Sequence, residues 1–376
     1  MAARASNPLQ DLSALGQSIW LDDLRRSTIT SGQLARYVEE DGVRGVTSNP
    51  AIFEKAIVGS PEYEGAIREL ARAGRSVAEI YDALTLEDIR ATADVLRPTF
   101  DRLEGADGFV SLEVSPELAH DTAGTVAEGH RLWRAVDRPN VMIKVPATKE
   151  GLVAIRELLT AGVNVNITLL FGLARYEAVA EAYLGALEAR VAQGRSVEVA
   201  SVASFFLSRI DTAVDAELDG RVREGQLDAG AAAALRGHIA IASARQAHVV
   251  YRRLFEGARF AALAARGARP QRLLWASTGT KNKQDSDVKY VEAVIGAGTI
   301  DTVPRETLDA YRDHGKPALR LTEGTELARA QLEQLERAGV SLDRVTQQLE
   351  DDGVKKFSEA YARVLAAVEK RRAEAR

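Results

Sequence analysis

Eight short runs of β-branched and apolar residues recur along the chain, and most are followed by a longer stretch with helical periodicity. They are SIWL (18 to 21), RGVTS (44 to 48), GFVSLEV (108 to 114), VMIKV (141 to 145), VNVNIT (163 to 168), VEVASV (197 to 202), RLLWAS (272 to 277) and TIDTVP (299 to 304). Repeated strand-then-helix order is the pattern of a parallel sheet, because parallel neighbours need a crossover and cannot share a tight hairpin. Between the fourth and fifth runs, TKEGLVAIRELLTAG sets Leu152, Ile155, Leu158 and Leu159 at helical spacing and stops on Gly162. That is one compact crossover. The intervals after the second and sixth runs are too long for one crossover, so extra helices are expected there, in PEYEGAIRELARAG and DAGAAAALRGHIAIASARQAHVVYRRLFE. LEDDGVKKFSEAYARVLAAVEKRRAEAR (349 to 376) reads as a long C-terminal helix whose basic end suits its dipole. No internal repeat or low-complexity linker divides the chain. The expected architecture is α/β, a single (β/α)8 TIM barrel domain spanning 1 to 376, and 376 residues lie within the range of an elaborated barrel.

Composition removes several classes of function. A net charge of −5 gives no basic footprint for nucleic acid. The absence of cysteine excludes disulfides, thiolate nucleophiles and sulfur-ligated metals. The five histidines, at 120, 130, 238, 248 and 314, form no close metal-binding pair and are read as surface residues, so metal catalysis is not expected. The first twenty residues contain no apolar core of signal-peptide length, and no segment reaches the length of a membrane span. A cytoplasmic protein is expected.

Alternation then assigns faces. On the fourth run Met142 and Lys144 share one face, and Val141, Ile143 and Val145 share the other, which suits packing against helices. Lys144 therefore points into the barrel. The same count turns Phe109, Ser111 and Glu113 inward on the third run and Asn164, Asn166 and Thr168 inward on the fifth. Polar groups thus gather at the C-terminal ends of three adjacent strands, the end that carries the chemistry in barrel enzymes. A lone lysine at a strand end more often snorkels to solvent. A buried one has to be paired or to give up its proton, and the neutral amine is a nucleophile suited to Schiff-base chemistry.

GVTSNPAIFEKAI (45 to 57) and IKVPATKEGLVAIRELLTAGVNVNITLLF (143 to 171) closely resemble the two signature segments of the transaldolase family in its long bacterial form, and the resemblance runs from GQSIWLDDL to TLDAYRDHGK. It implies a class I (β/α)8 enzyme, free of metal and organic cofactor and a monomer or homodimer, that moves a dihydroxyacetone unit between sugar phosphates of the pentose phosphate pathway. The implied donors are sedoheptulose 7-phosphate and fructose 6-phosphate; the acceptors are glyceraldehyde 3-phosphate and erythrose 4-phosphate. Lys144 matches the Schiff-base lysine and Asp22 the acid/base carboxylate; Asp23 is adjacent, and strand polarity lets only one of the two face inward. Glu113 and Thr168 match the pair that handles water in forming and hydrolysing the imine. Asn49 and Asn166 match amides that bind substrate hydroxyls, with turn capping as the other reading for Asn49 before Pro50. Ser204 matches a hydroxyl near the donor, Arg209 a phosphate-binding arginine and Ser277 a phosphate-side serine. Where shorter forms carry a second arginine this chain has Gly279, and Lys281 is the substitute cation, or else a solvated loop lysine. Two other readings use the same residues: a class I sugar-phosphate aldolase that cleaves without an acceptor, and a barrel that only binds sugar phosphates.

Overall fold

The computed structural model describes residues 7–374. Eight parallel strands close into a barrel in sequence order: β1 (Ser18–Leu21), β2 (Val43–Val46), β3 (Phe109–Glu113), β4 (Val141–Pro146), β5 (Val165–Leu170), β6 (Ser201–Phe206), β7 (Arg272–Ala276) and β8 (Ile300–Val303). β1 pairs with both β2 and β8, so no strand edge is left open. The expected extra helices are present. Pro50–Ile57, Glu64–Arg72 and Val77–Arg102 follow β2, while Ser208–Arg223, Ala229–Ala233, Ile239–Phe255 and Ala258–Ala264 follow β6. Among the described residues no helix is long and apolar enough to cross a membrane.

The crossover after β4 shows how local sequence sets an element's ends. Thr148 caps the helix Lys149–Ala161 by accepting the Gly151 amide at 2.9 Å, and Gly162 ends it in the left-handed region at φ 98°. Alternation predicts the barrel interior equally well. Trp20 turns inward and lies 6.5 Å from the Phe109 ring, and it fits only because β2 offers Gly45 opposite; a Cβ there would sit 2.3 Å from the indole. Beneath Trp20, Asp107 accepts hydrogen bonds from the Ser18 hydroxyl and from the indole nitrogen at 2.8 Å, and pairs with Arg272 at 3.1 Å. One buried carboxylate thereby ties β1, β3 and β7 together at the floor.

Three expectations shift. β6 is SVASFF, four residues later than VEVASV at its start, because Val197 and Val199 are buried in the approach to the strand while the Phe205 side chain packs edge-on to Trp275. β5 likewise begins at Val165, and Asn164 stays at the N-terminal end. There its amide nitrogen binds the Pro139 and Val141 carbonyls, and its oxygen takes the Ala200 amide, so it fastens loops and does not join the polar end of the barrel. The C-terminal helix starts earlier than expected and runs Leu342–Glu374; residues 375 and 376 of the expected segment lie outside the described residues. Its buried side chains, Leu342, Val345, Thr346, Glu350, Gly353, Phe357, Ala360, Val364 and Val368, step by three or four along one face. That face crosses the helix Pro50–Ile57, where Arg363 grips Glu54 at 2.6 and 3.0 Å and Arg371 donates to the terminal Ile57 carbonyl at 3.1 Å. His248 is a smaller surprise: it is buried and stacked 5.8 Å from Tyr251, since the polar stretch around it turns one face to the core.

Candidate active site

Lys144 lies beside Glu113 of β3 and Asn166 of β5 in the strand register, so three inward side chains stand in one row across the barrel. The Lys144 amine is buried. Of the two ways a lysine can tolerate burial, pairing is the one the geometry provides: Nζ donates to the Ser48 carbonyl at 3.1 Å and stands 3.7 Å from Glu113 Oε2. At 3.7 Å the pair is an ion contact and not a hydrogen bond, so both Glu113 oxygens are buried with no hydrogen-bond partner among the described residues, as is the hydroxyl of Thr168 on β5. Unpartnered buried oxygens are uncommon, and three of them in one chamber mark polar groups held for something other than the fold. Burial, reinforced by Asp22, lifts the Glu113 carboxyl to about 7 against the opposing pull of Lys144.

A second layer holds that row. Asn166 donates to Ser111 Oγ at 2.9 Å and accepts from Ser204 Oγ at 2.7 Å, which fixes its amide orientation between β3 and β6. The Ser48 hydroxyl donates to the Ser111 carbonyl at 2.7 Å, positioning the Ser48 carbonyl that receives Lys144. On the far side of the barrel, Asp22 follows β1 and accepts from Thr47 Oγ1 at 2.6 Å, while Thr47 lies 2.7 Å from Thr302 Oγ1 of β8. Asp23 turns to Arg25 at 3.2 Å. Asp22 thus faces the chamber, while Asp23 is taken up by Arg25. Asn49 spends its side-chain oxygen on the Ile52 amide at 3.0 Å, the capping reading, because Pro50 starts a helix that needs an N-cap.

Arg209 stands in the first turn of the helix Ser208–Arg223, half-buried, its guanidinium 5.4 Å from the Phe206 ring. Burial lowers its proton affinity and Asp22 opposes this, and it makes no ion pair with any described residue. Beside it, Ser277 follows β7 in the left-handed region at φ 55°. Its hydroxyl meets the Ser208 hydroxyl at 2.9 Å and its carbonyl takes the Ser208 amide at 3.0 Å. A free guanidinium, two hydroxyls and a helix N-terminus form a ready anion seat. Lys281 is not brought to it; that side chain is exposed on the following loop. A Cβ at Gly279 would lie 3.3 Å from Pro304 Cγ and 3.4 Å from Thr307 Oγ1, a close but accommodable fit that needs only a small shift of those side chains.

Sequence reasoning missed Thr47, Thr302 and Ser208 and did not see that Ser111 clamps Asn166. Alternation in TIDTVP turns Thr302 inward and was the available signal; the others depend on contacts between distant strands.

Comparison with known proteins agrees with this geometry. Residues 19–368 match the family Transaldolase/Fructose-6-phosphate aldolase. The chain is 50% identical over 363 residues to a transaldolase of Thiobacillus denitrificans, covering 96% of this chain and 99% of that one. It is 48% identical to transaldolases of a Parafrankia species and of Thermobifida fusca, in each case over 96% of this chain and 97% of the relative. With a closed eight-strand barrel and a buried lysine at its C-terminal end, the chain belongs to the transaldolase/fructose-6-phosphate aldolase family and is an enzyme of the transaldolase type.

Proposed function

We propose that the enzyme transfers a dihydroxyacetone unit from sedoheptulose 7-phosphate or fructose 6-phosphate to glyceraldehyde 3-phosphate or erythrose 4-phosphate through a Schiff base on Lys144. The observation that carries this reading is the buried Lys144 amine 3.7 Å from Glu113, in a chamber where Glu113 and Thr168 keep unpartnered oxygens. In the neutral form the Lys144 nitrogen adds to the ketose carbonyl to give a carbinolamine. Glu113, with Thr168 orienting a water, protonates the departing hydroxyl, and water leaves to form the imine. Asp22 then takes the proton from the hydroxyl on the carbon beyond the scissile bond. As that bond breaks, the aldose phosphate departs and the electron pair passes into an enamine held on Lys144. The enamine carbon attacks the acceptor aldehyde, Asp22 returns its proton to the new alkoxide, and water hydrolyses the imine with Glu113 as base.

Asn166 and the Nδ2 of Asn49 are suited to the substrate hydroxyls, as is Ser204. Arg209, Ser277 and the first turn of the helix Ser208–Arg223 are suited to the phosphate. Lys281 could serve as a second phosphate cation only if its loop moved toward Arg209. No metal or organic cofactor enters any step. We read the chain as one unit acting in the cytoplasm as a monomer or homodimer.

A carboxyl poised at about 7 can donate a proton in dehydration and accept one in hydrolysis near neutral pH. The kcat profile should therefore bend near pH 7, and Glu113→Gln should lower kcat at least ~100-fold and remove the bend. Stability has its own sign. The folded carboxyl binds its proton more tightly than the unfolded one at 4.5, so its contribution is complete below pH 4.5 and is lost as pH rises through about 7. Glu113→Gln should flatten that decline in a melting-temperature series, and an unchanged profile for either property would contradict the assignment.

The matched family also includes fructose-6-phosphate aldolases, which gives weight to cleavage without an acceptor. A coupled assay with fructose 6-phosphate, run with and without erythrose 4-phosphate, separates the two. Turnover that requires the acceptor supports transfer; equal turnover without it supports simple aldol cleavage.

A further inference from the structure

Ser277 adopts a backbone conformation that residues with a Cβ seldom hold, so something must keep it there. On one side the Ser208 amide holds its carbonyl. On the other stands Thr278, fully buried, whose hydroxyl donates to Asp301 Oδ1 at 2.8 Å and approaches the Thr302 carbonyl at 3.3 Å. Asp301 is outside the reaction chamber. On β8 its neighbour Thr302 turns inward to Thr47, so alternation sends Asp301 outward among the surrounding helices. Among the described residues it has no cationic partner, and its second oxygen is buried without a hydrogen bond, as are Trp275 Nε1 beside it on β7 and Tyr311 Oη. Burial pushes this carboxyl up to about 7, with the Thr278 hydroxyl pulling the other way. Among the described residues, Thr278 is the one side chain to which Asp301 is hydrogen-bonded.

We propose that Asp301 and Thr278 are positioning residues for phosphate recognition: their hydrogen bond anchors the chain just after Ser277 and holds the left-handed turn that brings its hydroxyl to Ser208 and Arg209. This rests on the reading of Arg209 and Ser277 as the phosphate seat. Without the anchor Ser277 relaxes to ordinary backbone angles and its hydroxyl leaves the seat, while the Lys144 row, held by β3 to β6, is untouched.

The test compares fructose 6-phosphate with unphosphorylated fructose as donor, erythrose 4-phosphate being the acceptor. Thr278→Val keeps the side chain's shape and removes the hydroxyl. It should raise KM for fructose 6-phosphate about tenfold, roughly the ratio expected for losing one hydrogen bond to a charged group, change kcat less than about twofold, and leave kcat/KM for fructose within about twofold. Asp301→Asn keeps the acceptor and should behave as the parent enzyme. Asp301→Leu removes it and should repeat the Thr278→Val split, which keeps the proposal testable if Thr278→Val fails to fold. An unchanged KM in both Thr278→Val and Asp301→Leu overturns the proposal, and so does an equal loss with both donors. Arg209→Ala in the same assay keeps the two levels apart. If Arg209→Ala leaves KM for fructose 6-phosphate unchanged, the phosphate reading falls and the proposal with it; if it raises KM while neither Thr278→Val nor Asp301→Leu does, the positioning role alone is wrong.

Discussion

Lys144→Met should leave a folded barrel with no transferase activity. Replacing the amine removes the atom that forms the covalent bond, so kcat/KM should fall by roughly 10⁴-fold or more, about 5.5 kcal/mol of transition-state stabilisation at 1.36 kcal/mol per decade. The fold should tolerate the change for a physical reason. Methionine keeps most of the buried stem, the Ser48 carbonyl loses one hydrogen bond, and Glu113, already raised to about 7 by burial, can take a proton once its cation is gone. Circular dichroism and melting temperature establish folding, and the coupled assay gives activity. A folded Lys144→Met enzyme that keeps even a hundredth of the parent rate would remove lysine from the mechanism.

The second large effect concerns stability, at the opposite end of the barrel. Asp107→Ala should destabilise the protein by roughly 3–5 kcal/mol, the cost of leaving a largely buried charge without its partner. Arg272 loses its 3.1 Å ion pair, and the Ser18 hydroxyl and Trp20 indole lose their acceptor at the same moment. Because Trp20 fills the space above Gly45, loosening its nitrogen also loosens the packing between β1 and β2. Denaturant midpoints at constant slope measure the change. Activity per folded molecule should be nearly unaltered, since the Lys144 row is built from β3, β4 and β5 at the other end. A loss below about 1 kcal/mol would mean that the floor cluster is not what joins these strands.

The parts of this molecule that could be read from sequence are those governed by local periodicity. Period-two alternation turned Lys144, Glu113 and Asn166 inward and allowed only one of Asp22 and Asp23 to do so, and helical spacing with Gly162 marked the helix after β4, whose Thr148 cap only the structure shows. Alternation fails where a strand's frame is ambiguous. VEVASVASFF contains two overlapping candidates, and pairing with β5 and β7 selects the second, which is also what presents Ser204 to Asn166. The same rule placed Asn164 among the chamber residues, although its position before Val165 commits it to loop carbonyls. Contacts across the closure could not be read at all: Thr47 meets Thr302 at a separation of 255 residues, and Thr278 meets Asp301 only because β7 and β8 are neighbours. The left-handed backbone at Ser277 was equally hidden, since serine carries no signal for it in the way glycine does.

One covalent bond, between Lys144 and the donor carbonyl carbon, is the centre of the mechanism. Borohydride reduction of the enzyme in the presence of fructose 6-phosphate, followed by peptide mass spectrometry, should show a three-carbon dihydroxyacetone-derived adduct on Lys144, with none on the other lysines and none without donor. Absence of the adduct under turnover conditions, or its appearance on a different residue, would contradict the claim that Lys144 is the Schiff-base nucleophile.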